Sequence, residues 1–139
     1  MRMSNSVHGG AELAEAWRVS KLDVDVRYQD DVPVIEAHGE CDLITSRKLK
    51  DAADYLMQTG RNKMVFDLRD TTYIDSSGFR ALLDARNNAV NRGGNIALVS
   101  LTAPVERVFS LLRLDEIIIR TDTVENAVER LRSIEPTQC

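Results

Sequence analysis

Hydrophobic and polar residues alternate with a period of two in the first regular segment of the chain. In residues 21–28, Leu22, Val24 and Val26 alternate with charged residues. A second apolar run follows at 32–37, after a polar turn at 29–31. A period of two is typical of half-buried strands, so the two segments predict a β-hairpin.

Later in the chain, apolar residues recur at three- and four-residue spacing, which predicts amphipathic helices. The predicted helices span about 43–59, 76–92, 104–112 and 123–131. Short apolar runs between them predict strands at 64–68, 96–99 and 116–120. The order β-β-α-β-α-β-α-β-α predicts a single α/β domain with a mixed sheet of about five strands and four main helices.

The regular pattern occupies residues 20–135, which we expect to form one domain, because 139 residues suffice for one hydrophobic core. Residues 1–19 form a predicted N-terminal tail. The tail is polar at first and then contains a segment, 11–17, that favours a short helix. Residues 136–139 form a C-terminal tail.

Composition excludes several classes of function. With 43% hydrophobic residues, 29% charged residues and a net charge of -4, the chain has no basic block suited to nucleic acid. It has no apolar run of about 20 residues and no signal-peptide core, so we expect a cytoplasmic protein without a membrane segment. Cys41 and Cys139 do not form a zinc motif, and His8 and His38 lack ligand-like spacing, so we expect no metal and no cofactor.

The residues Asp75, Ser76, Ser77 and Gly78 stand between a predicted buried strand and a predicted helix. The first turn of a helix has backbone N–H groups without partners and a partial positive charge, so it accepts a capping side chain or a phosphate. Ser and Asp are preferred helix caps. The four residues alone therefore fit ordinary capping, with Ser76 or Ser77 as the cap.

Three segments in this order resemble the STAS domains of bacterial anti-anti-sigma factors, and the resemblance covers about residues 20–135. They are G-E-C-D at 39–42, D-S-S-G at 75–78 and the stretch 104–114. The resemblance implies an anti-sigma factor antagonist that regulates transcription by partner switching. The unphosphorylated protein would bind an anti-sigma factor that is also a GHKL-type serine kinase and so release a sigma factor.

The same resemblance assigns the switch residues. Ser76 is the implied phosphorylation site, and its phosphorylation would abolish binding until a PP2C-like phosphatase removes the phosphate. The implied partner-binding loop contains Asp42, Asp75, Ser77, Gly78 and Phe79. A phosphate near Asp42 and Asp75 would introduce like-charge repulsion at the interface. We expect a monomer or a weak dimer.

Three positions depart from the family pattern. Cys41 replaces the usual leucine; it is either a redox-responsive thiol, if its thiolate is stabilised and exposed, or a small semi-buried apolar residue. Phe79 also replaces a leucine, and its helical spacing favours a core position over a partner-facing one. Arg113 stands where a helix-ending glycine is common, so we expect the local turn to differ.

Other functions are compatible with parts of the sequence. STAS-like domains also serve as scaffolds or regulatory subunits of signalling assemblies and transport systems. Nucleotide binding near Asp42 and Asp75 is not favoured, because the chain has no P-loop. Enzymatic activity is not expected, because Ser76 has no G-x-S-x-G context and no evident base.

Overall fold

A mixed sheet forms the centre of the molecule, and the computed structural model describes the chain over residues 2–3 and 21–134. Its strands are β1 (Arg2–Met3), β2 (Leu22–Gln29), β3 (Val32–Cys41), β4 (Lys63–Ile74), β5 (Asn95–Val99) and β6 (Ile119–Thr121). They lie side by side in sequential order. The pairs β1–β2 and β2–β3 are antiparallel, and the pairs from β3 to β6 are parallel. The five predicted strands are confirmed, and β1 adds two residues.

Within the described residues, four α-helices cover the sheet, as predicted: α1 (Ser46–Gln58), α2 (Ser76–Asn91), α3 (Ala103–Leu111) and α4 (Val124–Arg132). The first three contribute to one hydrophobic core, and α4 packs with Val34 and Val65 in a second core. Because α1, α2 and α3 each connect neighbouring parallel strands, right-handed crossovers place them on the same face. Among the helices of the described residues, none combines the length and apolarity that a bilayer crossing requires.

Strands β3 and β4 extend further than the sequence predicted. The expected ends were at 37 and 68, whereas the pairing continues to Cys41 and Ile74. The register shifts twice along this extension, between Glu36 and His38 and between Gly39 and Glu40. The added segment was missed because its exposed polar residues, at 69, 70, 72 and 73, hide the strand pattern.

The segment after α3 also differs from the prediction. A strand was expected at 116–120, but Leu114–Glu116 forms a 3-10 turn and β6 begins later. Arg113 precedes this turn with φ 58° and ψ 31°, the left-handed conformation that a glycine would adopt more readily. The expectation that arginine changes the turn is therefore wrong, because Arg113 adopts the left-handed geometry itself.

The two tails fall almost entirely outside the described residues. The predicted helix at 11–17, the C-terminal tail at 136–139 and Cys139 are among the residues that the structure does not describe. Within the predicted N-terminal tail, Arg2 and Met3 pair with Asp25 and Val24 of β2.

Candidate functional site

The two motif loops meet at the carboxyl edge of the sheet. Cys41 and Ile74 are partners in the parallel pair β3–β4, so both strands end at the same edge. The backbone N–H of Asp75 donates to the carbonyl oxygen of Cys41 over 3.1 Å. Strand pairing therefore brings together the segments 39–42 and 75–78, which are more than 30 residues apart in the sequence.

Asp75 is the cap of α2. Its backbone is extended, and its Oδ1 accepts hydrogen bonds from the backbone N–H groups of Ser77, at 2.9 Å, and Gly78, at 3.1 Å. The prediction that Ser76 or Ser77 caps this helix is therefore wrong. Because the Asp75 carboxylate accepts the hydrogen bonds at the start of the helix, neither serine hydroxyl is needed as the cap.

Ser76 is the first residue of α2 and is exposed, whereas Ser77 is half-buried. A hydroxyl at the start of a helix, on the open side of the sheet edge, is accessible to another protein. The position of Ser76 is set by the cap on one side and by the buried residues that follow it on the other.

Gly78 and Phe79 are buried and hold the helix start against β3. A Cβ atom on Gly78 would lie 2.8 Å from Cys41 Sγ and 2.5 Å from Ile74 Cγ2, so a larger residue does not fit without displacement. Phe79 is 4% exposed and belongs to the main hydrophobic core. The assignment of Phe79 to the partner-facing surface is corrected accordingly, and the core position favoured by its spacing is the observed one.

Asp42 forms the turn that links β3 to α1. Its Oδ1 accepts from the backbone N–H groups of Ile44 and Thr45, each at 2.9 Å. The two apolar side chains within this turn face solvent, with Leu43 71% exposed and Ile44 74% exposed. The predicted helix 43–59 includes both residues, but α1 begins only at Ser46, so the exposed apolar pair was not expected.

A cleft of about 430 Å³ separates the start of α1 from the start of α2. It is lined by residues of the Asp42 turn and both helices: Leu43, Ser46, Arg47, Lys50, Ser76, Ser77, Arg80, Ala81 and Asp84. Three of these side chains are basic. Their convergence depends on the packing of α1 against α2, which no local sequence pattern reveals.

Cys41 lies beneath this site and is fully buried. Burial, with smaller contributions from the negative charges of Asp75 and Asp42, raises the pKa of its thiol from 9.0 to about 12. A redox-responsive role required an exposed and stabilised thiolate, and the structure contradicts both conditions. The alternative, a small buried apolar residue, is the one observed.

A possible metal-ligand set lies elsewhere on the sheet. Ligand atoms of Asp25, Glu36 and His38 lie within 4.8 Å of one another on β2 and β3. Glu36 Oε2 is paired with Arg27 Nε at 2.9 Å, and His38 Nδ1 lies 2.9 Å from Asp70 Oδ2. Glu36 shares the sheet face of Val34 and α4, so this group takes no part in the site around Ser76.

Comparison with known proteins agrees with this geometry. The STAS domain family model matches residues 23–130. A putative anti-sigma factor antagonist of Thermotoga maritima is 33% identical over 104 residues, which are 74% of this chain and 92% of the relative. An anti-sigma F factor antagonist of Paenibacillus polymyxa is 25% identical, over 81% of this chain and 97% of the relative.

A solved structure gives the same result for the fold. The crystal structure of a putative anti-sigma factor antagonist from Thermotoga maritima superimposes with a TM-score of 0.69 and 30% identity. The match covers 78% of this chain and 94% of that protein. The family match spans well over half of the sequence and includes both loops of the site. This chain belongs to the STAS domain family.

Proposed function

We propose that this protein is an anti-sigma factor antagonist that works by partner switching in the cytoplasm. In its unphosphorylated form it binds an anti-sigma factor with a GHKL-type serine kinase domain, and the sigma factor is released. Phosphorylation of Ser76 ends the binding, and a PP2C-like phosphatase restores it. The proposal takes residues 20–135 as the STAS domain and the protein as a monomer or a weak dimer.

One observation carries the proposal: an exposed serine stands at the first position of α2, released from capping by Asp75. Leu43 lines the same cleft as Ser76, and with Ile44 it forms an exposed apolar pair. An apolar patch beside a modifiable hydroxyl is suited to a partner that binds only while the hydroxyl is neutral. The names of the Thermotoga and Paenibacillus relatives support the same class of partner.

The proposed modification is a phosphoryl transfer from ATP carried by the partner kinase. The Ser76 Oγ forms a bond to the γ-phosphorus while the bond from that phosphorus to the bridging oxygen breaks. ADP leaves, and the hydroxyl proton is released to a base of the kinase or to solvent. Hydrolysis by the phosphatase transfers the phosphoryl group to water and returns the hydroxyl.

The added phosphate acts on the interface through desolvation. It carries close to two negative charges at neutral pH, and it would be buried with Leu43 when the partner docks. Burying an unpaired charge among apolar groups is costly. A loss of about 1.4 kcal/mol already weakens binding tenfold, so the switch does not require a change of fold.

The chemistry of Ser76 fits a phosphate acceptor and not an enzyme nucleophile. A catalytic serine needs a base within hydrogen-bonding reach. In the described part of the chain, the cleft around Ser76 is lined by no histidine. His38 instead contacts Asp70. We therefore propose a regulatory binding protein without catalytic activity.

The test is affinity capture from a lysate of the source organism with wild type, Ser76→Ala and Ser76→Glu as baits, followed by calorimetry with the purified partner. A GHKL-type anti-sigma factor that binds the first two baits and is lost from Ser76→Glu supports the proposal. Ser110→Glu serves as the matched control and should bind as wild type does, because Ser110 is an exposed serine of α3 outside the cleft. Retention of one large assembly by all three baits would instead indicate a scaffold or a transport subunit.

A further inference from the structure

The cleft beside Ser76 is unusually cationic for a protein of net charge -4. Arg47 and Lys50 reach it from α1, and Arg80 reaches it from α2. The one acidic side chain of its lining is Asp84. The cleft therefore has a net of two positive charges in the described structure, directly next to the candidate phosphorylation site.

Among these three cations, Arg80 is the one that lies on the same helix as Ser76. It lies one helical turn after Ser76 and one turn before Asp84, and residues at i and i+4 are neighbours on a helix surface. Its Nε is 3.5 Å from Asp84 Oδ1, and its side chain is 76% exposed. An exposed pair at this distance contributes little, so the guanidinium can leave Asp84 for a stronger anion.

We propose that the Arg47, Lys50 and Arg80 side chains bind the phosphate of phosphorylated Ser76 within the same molecule, with Arg80 exchanging Asp84 for the phosphate. The inference rests on Ser76 being the modified residue of the proposed function, and it adds how the modified state is held. Arginine binds a phosphate with short, charge-assisted hydrogen bonds, often two at once. A negative group four residues before a basic one is the favoured helical order.

The other groups around Ser76 direct the phosphate toward this cleft. The helix N-terminus would attract an anion, but the N–H groups of Ser77 and Gly78 already bind Asp75. The Asp42 carboxylate is likewise held by backbone N–H groups in its own turn. Both carboxylates repel a phosphate, whereas the three cations attract it from the cleft side.

The consequence concerns the surface that a partner meets. In the unphosphorylated protein the cleft presents net positive charge beside Leu43, which suits a partner with acidic and apolar groups. The phosphate on Ser76 of the same molecule would neutralise the positive charge of the cleft. The modified protein would then lose an attractive surface in addition to carrying a charge that is costly to bury.

The test is a phosphorus NMR titration of full-length protein with phosphoserine incorporated at position 76 during synthesis. A free phosphoserine loses its second proton with a pKa of about 6. Nearby cations favour the dianion, so we expect a pKa lower by at least about half a unit in the otherwise unchanged protein. Arg80→Gln should raise the phosphoserine pKa by most of this amount. Arg47→Gln and Lys50→Gln should each raise it by a smaller amount.

The matched control is Arg107→Gln, an exposed arginine of α3 outside the cleft, which should leave the titration unchanged. Asp84→Asn should lower the phosphoserine pKa further, because it removes the competing carboxylate. Equal titration curves for the unchanged protein and all three cleft variants would overturn the proposal. The experiment contains no partner, so its failure is distinct from a failure of partner switching.

Discussion

The backbone N–H of Asp75 donates to the carbonyl oxygen of Cys41 over 3.1 Å, which joins the end of β3 to the start of α2. Asp75 also caps α2 with its side chain. The sulfur and the carbonyl oxygen of Cys41, together with Ile74 Cγ2, leave no room for a Cβ atom at position 78. The location of Ser76 is thus determined by strand pairing and packing around these two residues.

The capping role of Asp75 predicts a cost for its removal. Asp75→Ala leaves the Ser77 and Gly78 N–H groups without their acceptor, and loss of such a cap costs about 1 kcal/mol. Asp75→Asn keeps an acceptor oxygen and should lose less. Urea unfolding measures both changes. Asp84→Ala, an acidic residue further along α2, should stay within about 0.5 kcal/mol of wild type; an equal loss at both positions would contradict the capping role.

The close approach at Gly78 predicts that even one methyl group destabilises the fold. In Gly78→Ala the new Cβ would meet Ile74 Cγ2 and Cys41 Sγ at less than 3.0 Å. Overpacking of this kind costs about 1 to 3 kcal/mol, in spite of the better helix propensity of alanine. Denaturant unfolding measures the loss. Adding Cys41→Ala removes the sulfur contact, so the double variant should lose less than the sum of the single ones.

The raised pKa of Cys41 predicts a stability loss at alkaline pH. The folded thiol keeps its proton up to about pH 12, whereas the unfolded thiol loses it near 9.0. The folded state thus binds more protons in this window, so the free energy of unfolding falls as the pH rises through it. Below about pH 8 the thiol is protonated in both states and makes no pH-dependent contribution.

The measurement compares two proteins that both carry Cys139→Ser, one with Cys41 and one with Cys41→Ala. Between pH 8.5 and 10 the protein with Cys41 should lose about 1 kcal/mol more than the other. Subtracting the free energies of unfolding of the two proteins at each pH cancels the contribution of all other titrating groups. Parallel pH profiles would show that the thiol is not protected by the fold. In the same window, a thiol reagent should label Cys41 only at the rate of unfolding.

Sequence pattern predicted strands that carry a regular apolar signal, either an alternation or a continuous buried run. Strand β2 shows the alternation, because Leu22 and Val24 are buried while the residues next to them are only partly buried. The strand extension through Thr72 and Tyr73 was missed, because its exposed residues at 69, 70, 72 and 73 break the apolar alternation. A strand of this kind is held by pairing with β3, which is not visible locally.

The sequence likewise predicted one part of the candidate site and not the other. The sequence placed Ser76 at a helix start, because D-S-S-G followed by an amphipathic segment has a local signature. It did not place Arg47 beside Ser76, because these residues meet only through the packing of α1 on α2. It also did not show that Asp42 and Asp75 are bound by backbone N–H groups, which makes them structural supports as well as negative charges.

The left-handed conformation of Arg113 predicts a stabilising substitution. Arg113→Gly removes the Cβ that is crowded at φ 58°, and we expect a gain of about 0.5 to 1 kcal/mol. The lost contact to Glu116, 4.0 Å between two exposed side chains, contributes little. Thermal unfolding measures the change. Arg107→Gly inside α3 should do the opposite and lose about 1 kcal/mol; a loss at both positions would mean that the turn is not strained.

The exposed apolar pair predicts a partner-binding defect without a folding defect. Leu43→Ser and Ile44→Ser change side chains that are mostly in solvent, so the free energy of unfolding should stay within about 0.5 kcal/mol of wild type. An interface formed around these side chains loses apolar burial in both variants. We expect affinity for the captured anti-sigma factor to fall at least about tenfold, equal to about 1.4 kcal/mol.

Leu111→Ser is the matched control, because Leu111 is 74% exposed, as Ile44 is, but lies on α3. Calorimetry with the same partner preparation should give the wild-type affinity for this variant. If Leu111→Ser weakens binding and Leu43→Ser does not, the partner binds at α3 and not at the Ser76 edge. Phosphorylation of Ser76 would then have to act at a distance from the interface, and the desolvation argument for the switch would fail.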